Sequence, residues 1–292
     1  MNASSDPKNR IAFQGEPGAN SHLACTEAFP TMEPMPCAAF EDAFAAVQDG
    51  AAGLAMIPIE NSVAGRVADI HHLMPASRLH IIGEHFLRVN HHLLAVKDAK
   101  LADIKTARSH VQALGQCRNF LRRHNIAASV AADTAGAAAE VAAKGDKSVA
   151  AIASDLARRI YGLESLAANI EDAEHNTTRF LVMAKEAREP APESGPCITT
   201  FIFRVRNVPA ALYKAMGGFA TNGVNMTKLE SYQINGAFTA TLFYADVEGH
   251  PAEVGLRHAL GELEFFSAEL RILGVYPAHP FRFEARKAVE VG

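Results

Sequence analysis

The sequence predicts an α/β protein of two domains, a larger one over residues 10–185 and a smaller one over residues 197–277. Apolar, strand-like segments alternate with helix-like segments through the first range, which is typical of a largely parallel sheet. A charged, proline-rich segment at 184–196 follows and has the composition of a linker. After it the predicted order of elements is β-α-β-β-α-β, which indicates a ferredoxin-like domain.

Composition restricts the class of protein. The chain has 292 residues, of which 49% are hydrophobic and 21% charged, as expected for a globular protein with a substantial core. A net charge of −4 gives no reason to expect nucleic acid or an anionic membrane as a partner. The four cysteines match no zinc spacing, and no segment has the pattern of a signal peptide or the length of a membrane span. We therefore expect a cytoplasmic protein with free thiols.

The first elements fit the α/β pattern in order. A strand at 11–14 ends in a glycine turn, and a helix with Ser21 as N-cap follows. The aromatic and aliphatic spacing of residues 40–47 predicts a second helix, and residues 53–59 form an apolar strand. These elements make up the start of a first lobe.

A polar segment follows the strand at 53–59. Asn61 or Ser62 is predicted to cap a following helix that carries Val67, Ile70, Leu73 and Met74. A helix N-terminus directs free N–H groups and a positive dipole end toward one point, so these two side chains are candidates for ligand binding as well as for capping.

The remaining part of the first domain continues the alternation. Strands within 79–97 are predicted to lead into a second lobe, and Ser109 with Gln112 fits an S-x-x-Q capping box. The later elements are a strand at 126–130, a helix from Asp133-Thr134 to Gly145, a strand at 148–153 and a helix from Ser154 to Gly162.

Polar residues gather at the junctions of strands and helices, and such junctions share one edge of an open sheet. A chain that leaves one lobe for a second and then returns places a cleft between them. The histidine pairs 71–72 and 91–92 do not predict a metal site, because adjacent side chains point to different faces of a strand or helix.

Residues 176–180, Asn-Thr-Thr-Arg-Phe, are a polar segment that leads into an apolar strand. Thr178 offers a hydroxyl, and Arg179 offers a cation whose planar fork matches a carboxylate. Taken alone, the segment favours a turn before an edge strand with a solvated arginine. Three further motifs reverse that preference: residues 13–22, 57–65 and 109–117.

Together, these four motifs resemble the prephenate dehydratases, over nearly the whole range 10–277. The resemblance implies a bilobal catalytic domain similar to type II periplasmic binding proteins, followed by an ACT regulatory domain. It implies conversion of prephenate to phenylpyruvate, water and carbon dioxide in L-phenylalanine biosynthesis. We expect no metal and no cofactor.

The resemblance also implies roles for residues. It implicates the threonine of the T-R-F motif, Thr178, in catalysis, and we expect its hydroxyl to donate a hydrogen bond or a proton to the leaving hydroxyl of the substrate. Helix N-termini and Arg179 would position the carboxylates, with His110 or Glu60 as a relay behind Thr178. The catalytic candidates are Thr178, Arg179, Glu60 and His110, and the substrate-binding candidates are Asn61, Ser62, Ser109, Gln112, Thr134, Asn176 and Phe180.

The C-terminal domain is predicted from a strand at 197–208, a helix at 209–222, strands at 225–234 and 238–247 joined by the turn Asn235-Gly236, a helix at 251–266 and a strand at 270–276. Relatives with phenylalanine feedback carry G-A-L and E-S-R-P segments. The corresponding segments here are 210–212, Ala-Ala-Leu, and 230–233, Glu-Ser-Tyr-Gln.

We expect L-phenylalanine as the effector and a homodimer or homotetramer, since ACT domains pair side by side; the alternative is a domain that only dimerises. The candidate effector-binding residues are Ala211, Leu212, Asn222, Val224, Glu230 and Ser231.

Two other functions stay open at this point. Arogenate dehydratase would perform the same chemistry on an aminated substrate, and no residue decides between the two. A non-catalytic amino-acid sensor would have a similar cleft, but it would not need the intact T-R-F motif. The lack of a visible nicotinamide-binding fingerprint argues against dehydrogenase chemistry of the tyrosine branch.

Overall fold

The computed structural model describes residues 6–67, 70, 72–206, 208–234 and 237–284. The described chain divides into two compact units. One contains residues up to 70 together with 85–180, and the other contains 72–84 together with 181–284. Each unit is described by itself.

The strands are β1 (Arg10–Gln14), β2 (Glu33–Cys37), β3 (Leu54–Asn61), β4 (Gly65–Arg66), β5 (His80–Arg88), β6 (His92–Ala95), β7 (Thr106–Ser109), β8 (Ala127–Val130), β9 (Val149–Ala153), β10 (Glu164–Ala167), β11 (Thr177–Ala184), β12 (Cys197–Val205), β13 (Met226–Ile234), β14 (Ala237–Glu248) and β15 (Ser267–Pro277).

The helices are α1 (Asn20–Ala28), α2 (Phe40–Gln48), α3 (Leu73–Ala76), α4 (Val111–Gln116), α5 (Arg118–Arg123), α6 (Thr134–Lys144), α7 (Asp155–Tyr161), α8 (Ala211–Thr221) and α9 (Val254–Phe266). In the part of the chain that the structure describes, no helix combines the length and the hydrophobicity that crossing a bilayer requires.

The first sheet has the strand order β2-β1-β3-β11-β5, with β4 paired to β3. Strands β1, β2 and β3 are parallel, as the strand–helix alternation predicts. The pattern did not predict β2, which contains Pro34 and Pro36. Proline cannot donate to a ladder and is tolerated at a sheet edge, which is where β2 lies.

The second sheet has the order β10-β6-β9-β7-β8. Strands β7, β8 and β9 are parallel, while β6 and β10 are antiparallel to their neighbours. Adjacent residues on one strand belong to different buried clusters: Leu93 packs with Phe120, and Leu94 packs with Val141. This sheet is therefore covered on both faces, and the first unit is a two-lobed α/β domain as predicted.

The helix predicted to be capped by Asn61 or Ser62 does not begin there, although Leu73 and Met74 of that prediction do lie in a helix, α3. The side-chain Oδ1 of Asn61 accepts hydrogen bonds from the backbone N–H groups of Val63 (3.0 Å) and Ala64 (2.7 Å). Gly65, at φ +82°, lets the chain reverse into β4, which pairs antiparallel with β3. We refer to β3, this turn and β4 as the 54–66 hairpin. The asparagine stabilises a turn where the sequence pattern predicted a cap.

The capping box at Ser109 is also wrong. Ser109 ends β7, is fully buried and donates its hydroxyl to the carbonyl of Ile152 at 2.6 Å. His110 is the N-cap of α4 instead, and its Nδ1 accepts from the backbone N–H of Gln112. The predicted caps Asp133 and Ser154 are confirmed by hydrogen bonds to the first turns of α6 and α7.

The C-terminal domain forms an antiparallel sheet of order β13-β14-β12-β15 with helices α8 and α9. Its core includes Phe201, Phe219 and Leu263. The order β12-α8-β13-β14-α9-β15 confirms the ferredoxin-like fold. The predicted turn Asn235-Gly236 lies outside the described residues.

Residues 72–84 pack with this domain. The buried carboxylate of Glu84 accepts hydrogen bonds from Arg282 Nε (2.6 Å) and Nη2 (2.8 Å), and Arg271 Nη2 donates to the carbonyl of Pro75 (2.5 Å). No sequence pattern predicted this grouping, and the domain limits 10–185 and 197–277 stay predictions.

Replacing Ala210 by glycine should stabilise the protein. Ala210 precedes α8 with φ +59°, a left-handed conformation that costs an alanine about 1 kcal/mol relative to glycine. Ala210→Gly should therefore raise the free energy of unfolding, measured by chemical denaturation, by about 1 kcal/mol.

Ala220→Gly provides the matched control, because Ala220 is an exposed residue inside the same helix. This substitution should destabilise by roughly 0.5–1 kcal/mol. Equal losses from both substitutions would show that position 210 carries no backbone strain.

Candidate functional site

A cavity of about 610 Å³ lies in the first unit, lined by both of its lobes and by the start of β11. The polar side chains that line it are Gln14, Asn20, Ser21, Asn61, Arg66, His91, His110, Gln112, Gln116, Asp133, Thr134 and Thr178. Its volume suits a small organic ligand.

Three helices begin at this cavity. Asn20 and Ser21 are the first residues of α1, His110 caps α4, and Asp133 with Thr134 begins α6. Their N-termini place positive dipole ends and backbone N–H groups at the cavity, which favours an anionic ligand. The prediction that polar junction residues converge is confirmed for His110, Gln112 and Thr134.

Asn61 organises the centre of the site. Its Nδ2 donates one hydrogen bond to Asn176 Oδ1 (2.8 Å) and one to Thr178 Oγ1 (3.0 Å). Its Oδ1 already accepts from two backbone amides of the hairpin turn. Both amide hydrogens are therefore used inside the protein, and Asn61 fixes the orientation of Thr178.

Thr178 lines the cavity and accepts this hydrogen bond from Asn61. Its own O–H has no acceptor among the residues that the structure describes. A hydroxyl can accept and donate at the same time, so Thr178 can accept from Asn61 and donate its hydrogen to a ligand in the cavity.

A buried network extends behind Asn61. Asn176 Nδ2 donates to Gln116 Oε1 (3.0 Å), and His91 Nε2 lies 2.8 Å from the same oxygen and is the donor. Burial lowers the pKa of His91, which favours the neutral ring. Neither Gln116 nor His91 was predicted to belong to the site. Gln116 follows Gln112 by one helical turn within a quoted motif, and that spacing places both on the same helix face.

Arg179 does not reach the cavity, contrary to the predicted role in binding carboxylates. Its side chain is only 4% exposed, and Nη1 lies 3.0 Å from Glu60 Oε1. Neither Arg179 nor Glu60 lines the cavity, so the structure does not position Glu60 for the predicted relay to a ligand there. Side chains alternate along a strand, so the arginine between Thr178 and Phe180 points to the opposite face of β11.

The other predicted substrate-binding residues divide into two groups. Phe180, Gln112 and Thr134 line the cavity. Ser62 does not, because its hydroxyl donates to the carbonyl of His175 (2.5 Å) and accepts from the N–H of Thr177 (2.9 Å). Ser109 and Asn176 are buried and serve the structure of the site rather than its surface. These placements correct the predicted binding roles of Ser62 and Ser109.

The predicted effector residues do not form one cavity in the C-terminal domain. Asn222 and Val224 line a cavity of about 350 Å³, while Ala211, Leu212, Glu230 and Ser231 do not. Glu230 instead accepts hydrogen bonds from Lys228 (2.5 Å) and Tyr232 (2.7 Å). An 11-residue helix separates Ala211 from Asn222, which puts them about 16 Å apart.

No group of three or more His, Cys, Asp or Glu side chains suited to a metal ion occurs within the described ranges. The expectation that no metal or cofactor takes part stays a prediction.

The fold and site define a class of protein: a two-lobed α/β domain with a polar cavity at three helix N-termini, joined to a ferredoxin-like domain. The family model described as prephenate dehydratase matches residues 11–188. The chain belongs to the prephenate dehydratase family.

Relatives support this assignment. A bifunctional N-acyl-homoserine lactone acylase/prephenate dehydratase of Komagataeibacter europaeus is 52% identical, over 93% of this chain and 97% of that protein. The chloroplastic arogenate dehydratase/prephenate dehydratase 1 of Arabidopsis thaliana is 43% identical, over 93% of this chain and 73% of its own length. The crystal structure of an Arthrobacter aurescens prephenate dehydratase with L-Phe matches with a TM-score of 0.84 at 28% identity, covering 96% of this chain and 97% of that chain.

Proposed function

We propose that this protein converts prephenate to phenylpyruvate, carbon dioxide and water. The observation that supports this most directly is the Thr178 hydroxyl, which Asn61 orients so that its hydrogen can be donated into the cavity. Family membership makes the chain a dehydratase, and the proposal concerns its substrate and the residues that act on it.

In the proposed reaction the ring carboxylate leaves as carbon dioxide, and the electron pair of the broken bond moves into the ring. The C–OH bond at the opposite ring position breaks, and the departing hydroxide takes up a proton to give water. Thr178 donates a hydrogen bond to that oxygen as negative charge develops on it. Because a threonine hydroxyl is a very weak acid, we assign Thr178 the donation of a hydrogen bond rather than the transfer of its proton.

Arogenate is the alternative substrate. It has the same ring chemistry, and the Arabidopsis relative is described with both activities. The test is to measure initial rates with prephenate and with arogenate under the same conditions. Faster turnover of prephenate, as measured by kcat/KM, supports the proposal, and faster turnover of arogenate overturns its choice of substrate. No turnover of either would favour the amino-acid sensor.

An acylase activity on N-acyl-homoserine lactones is a second candidate function. It is favoured by the 52% identity, over nearly the full length, to a relative described as having that activity. Release of homoserine lactone from an acylated substrate would support it. Testing Thr178→Ala in both assays shows whether the two reactions share the 610 Å³ cavity.

We further propose that L-phenylalanine binds the C-terminal domain and inhibits the enzyme. The Arthrobacter relative, solved with L-Phe, supports this ligand. Inhibition by L-Phe that leaves binding of phenylpyruvate unchanged would support a separate effector site. A homodimer or homotetramer remains the proposed assembly, and the cytoplasmic location stays a prediction from the sequence.

A further inference from the structure

Binding of a dianionic substrate such as prephenate would be favoured by a cation in the cavity. Arg179, the arginine predicted to supply that cation, does not line the cavity. Arg179 is buried and paired with Glu60. Arg66 is the only arginine or lysine among the described residues that line the cavity. Its position in the sequence, within a segment predicted to be helical, gave no indication of this role.

The 54–66 hairpin returns the chain along β3, with Arg66 paired to Glu60 and Gly65 paired to Asn61. Arg66 and Thr178 line the same cavity, Arg66 from β4 and Thr178 from β11. The turn that stands in place of the predicted helix start therefore leaves a cationic residue in the lining of the cavity.

The guanidinium of Arg66 is exposed and has no hydrogen-bond or ion-pair partner within the part of the chain described. Although it lies opposite Glu60 in register, Glu60 Oε1 bonds to Arg179 instead. The two arginines have separate tasks: one neutralises a carboxylate of the protein, and the other is available to a ligand. An unpaired guanidinium can bind a carboxylate through two parallel hydrogen bonds.

We propose that Arg66 binds the side-chain carboxylate of the substrate, the one that the product retains. This inference rests on the proposed function. The ring carboxylate loses its charge as carbon dioxide forms, so a cation bound there would stabilise the ground state more than the transition state. The side-chain carboxylate keeps its charge throughout, so a cation bound there contributes equally to both states.

The proposal predicts a change in KM without a change in kcat. Arg66→Gln should raise KM for prephenate, and the inhibition constant of phenylpyruvate, by about 10- to 100-fold each. The kcat value should stay within about 3-fold of that of the original enzyme, because the lost interaction stabilises the bound substrate and the transition state equally. Arg66→Lys should give an intermediate KM, since it keeps the charge but loses the planar fork.

Arg122→Gln is the matched control, because Arg122 is an exposed arginine in α5 away from the cavity. It should leave KM and the phenylpyruvate inhibition constant unchanged. An Arg66→Gln enzyme with unchanged KM and unchanged product inhibition would overturn the proposal. A fall in kcat at constant KM would also overturn it.

Failure of the proposed function can be told apart from failure of this inference. Calorimetric titration with phenylpyruvate tests Arg66 even if the original enzyme does not turn over prephenate. Binding that weakens in Arg66→Gln and not in Arg122→Gln supports the inference on its own. Equal binding by the original and Arg66→Gln enzymes, or no binding by either, would overturn it.

Discussion

Thr178→Ala is expected to lower kcat by about 10²- to 10³-fold, the usual effect of removing one hydrogen-bond donor from developing negative charge. The physical reason is the geometry of the hydroxyl, which accepts from Asn61 at 3.0 Å and has its own hydrogen left for the ligand. KM should change much less than kcat, because the interaction strengthens only as hydroxide departs. Steady-state rates of phenylpyruvate formation provide the measurement.

Two further substitutions at this position separate a hydroxyl role from a packing role. Thr178→Ser keeps the hydroxyl and should retain most of the activity, whereas Thr178→Val keeps the shape and should be as slow as Thr178→Ala. If the serine enzyme were as slow as the alanine enzyme, the hydroxyl could not be the donor. Circular dichroism of each variant verifies that the fold is unchanged.

Asn61→Asp should also lower kcat, by about 10²-fold, although the two side chains have nearly the same shape. An ionised carboxylate has no N–H, so it cannot donate to Asn176 Oδ1 or Thr178 Oγ1 as the amide does. The Thr178 hydroxyl would then donate to the new carboxylate and no longer into the cavity. Loss of the two donated bonds should also cost about 1–3 kcal/mol of stability, measurable by urea denaturation.

A double-mutant cycle tests whether Asn61 acts through Thr178. If it does, Asn61→Asp should cost little further activity in an enzyme that already carries Thr178→Ala. Fully additive losses in kcat would instead show that Asn61 acts on the substrate independently of Thr178. Asn119→Asp, on the exposed part of α5, is the control for adding a negative charge elsewhere in the same unit.

Local patterns in the sequence were enough for the class of fold and for part of the site. Strand and helix periodicity reflects which face of each element is buried, so the two-lobed α/β domain and the β-α-β-β-α-β domain could both be predicted. The caps at Asp133 and Ser154 satisfy backbone N–H groups only three residues away, and both are confirmed. The same strand period accounts for Thr178 and Phe180 facing the cavity together.

The tertiary structure decided which polar groups pair, and that decision changed the candidate site. Arg179 binds Glu60, Asn176 binds Asn61 and Gln116, and Glu84 binds Arg282, each across 60 to 198 positions of sequence. A buried polar group must find a partner, and no local period specifies a partner that far away. Local sequence patterns therefore determined most of the elements and pointed to the Thr178 hydroxyl, whereas tertiary contacts withdrew Arg179 from the cavity and left Arg66 as the one arginine or lysine among the described residues that line it.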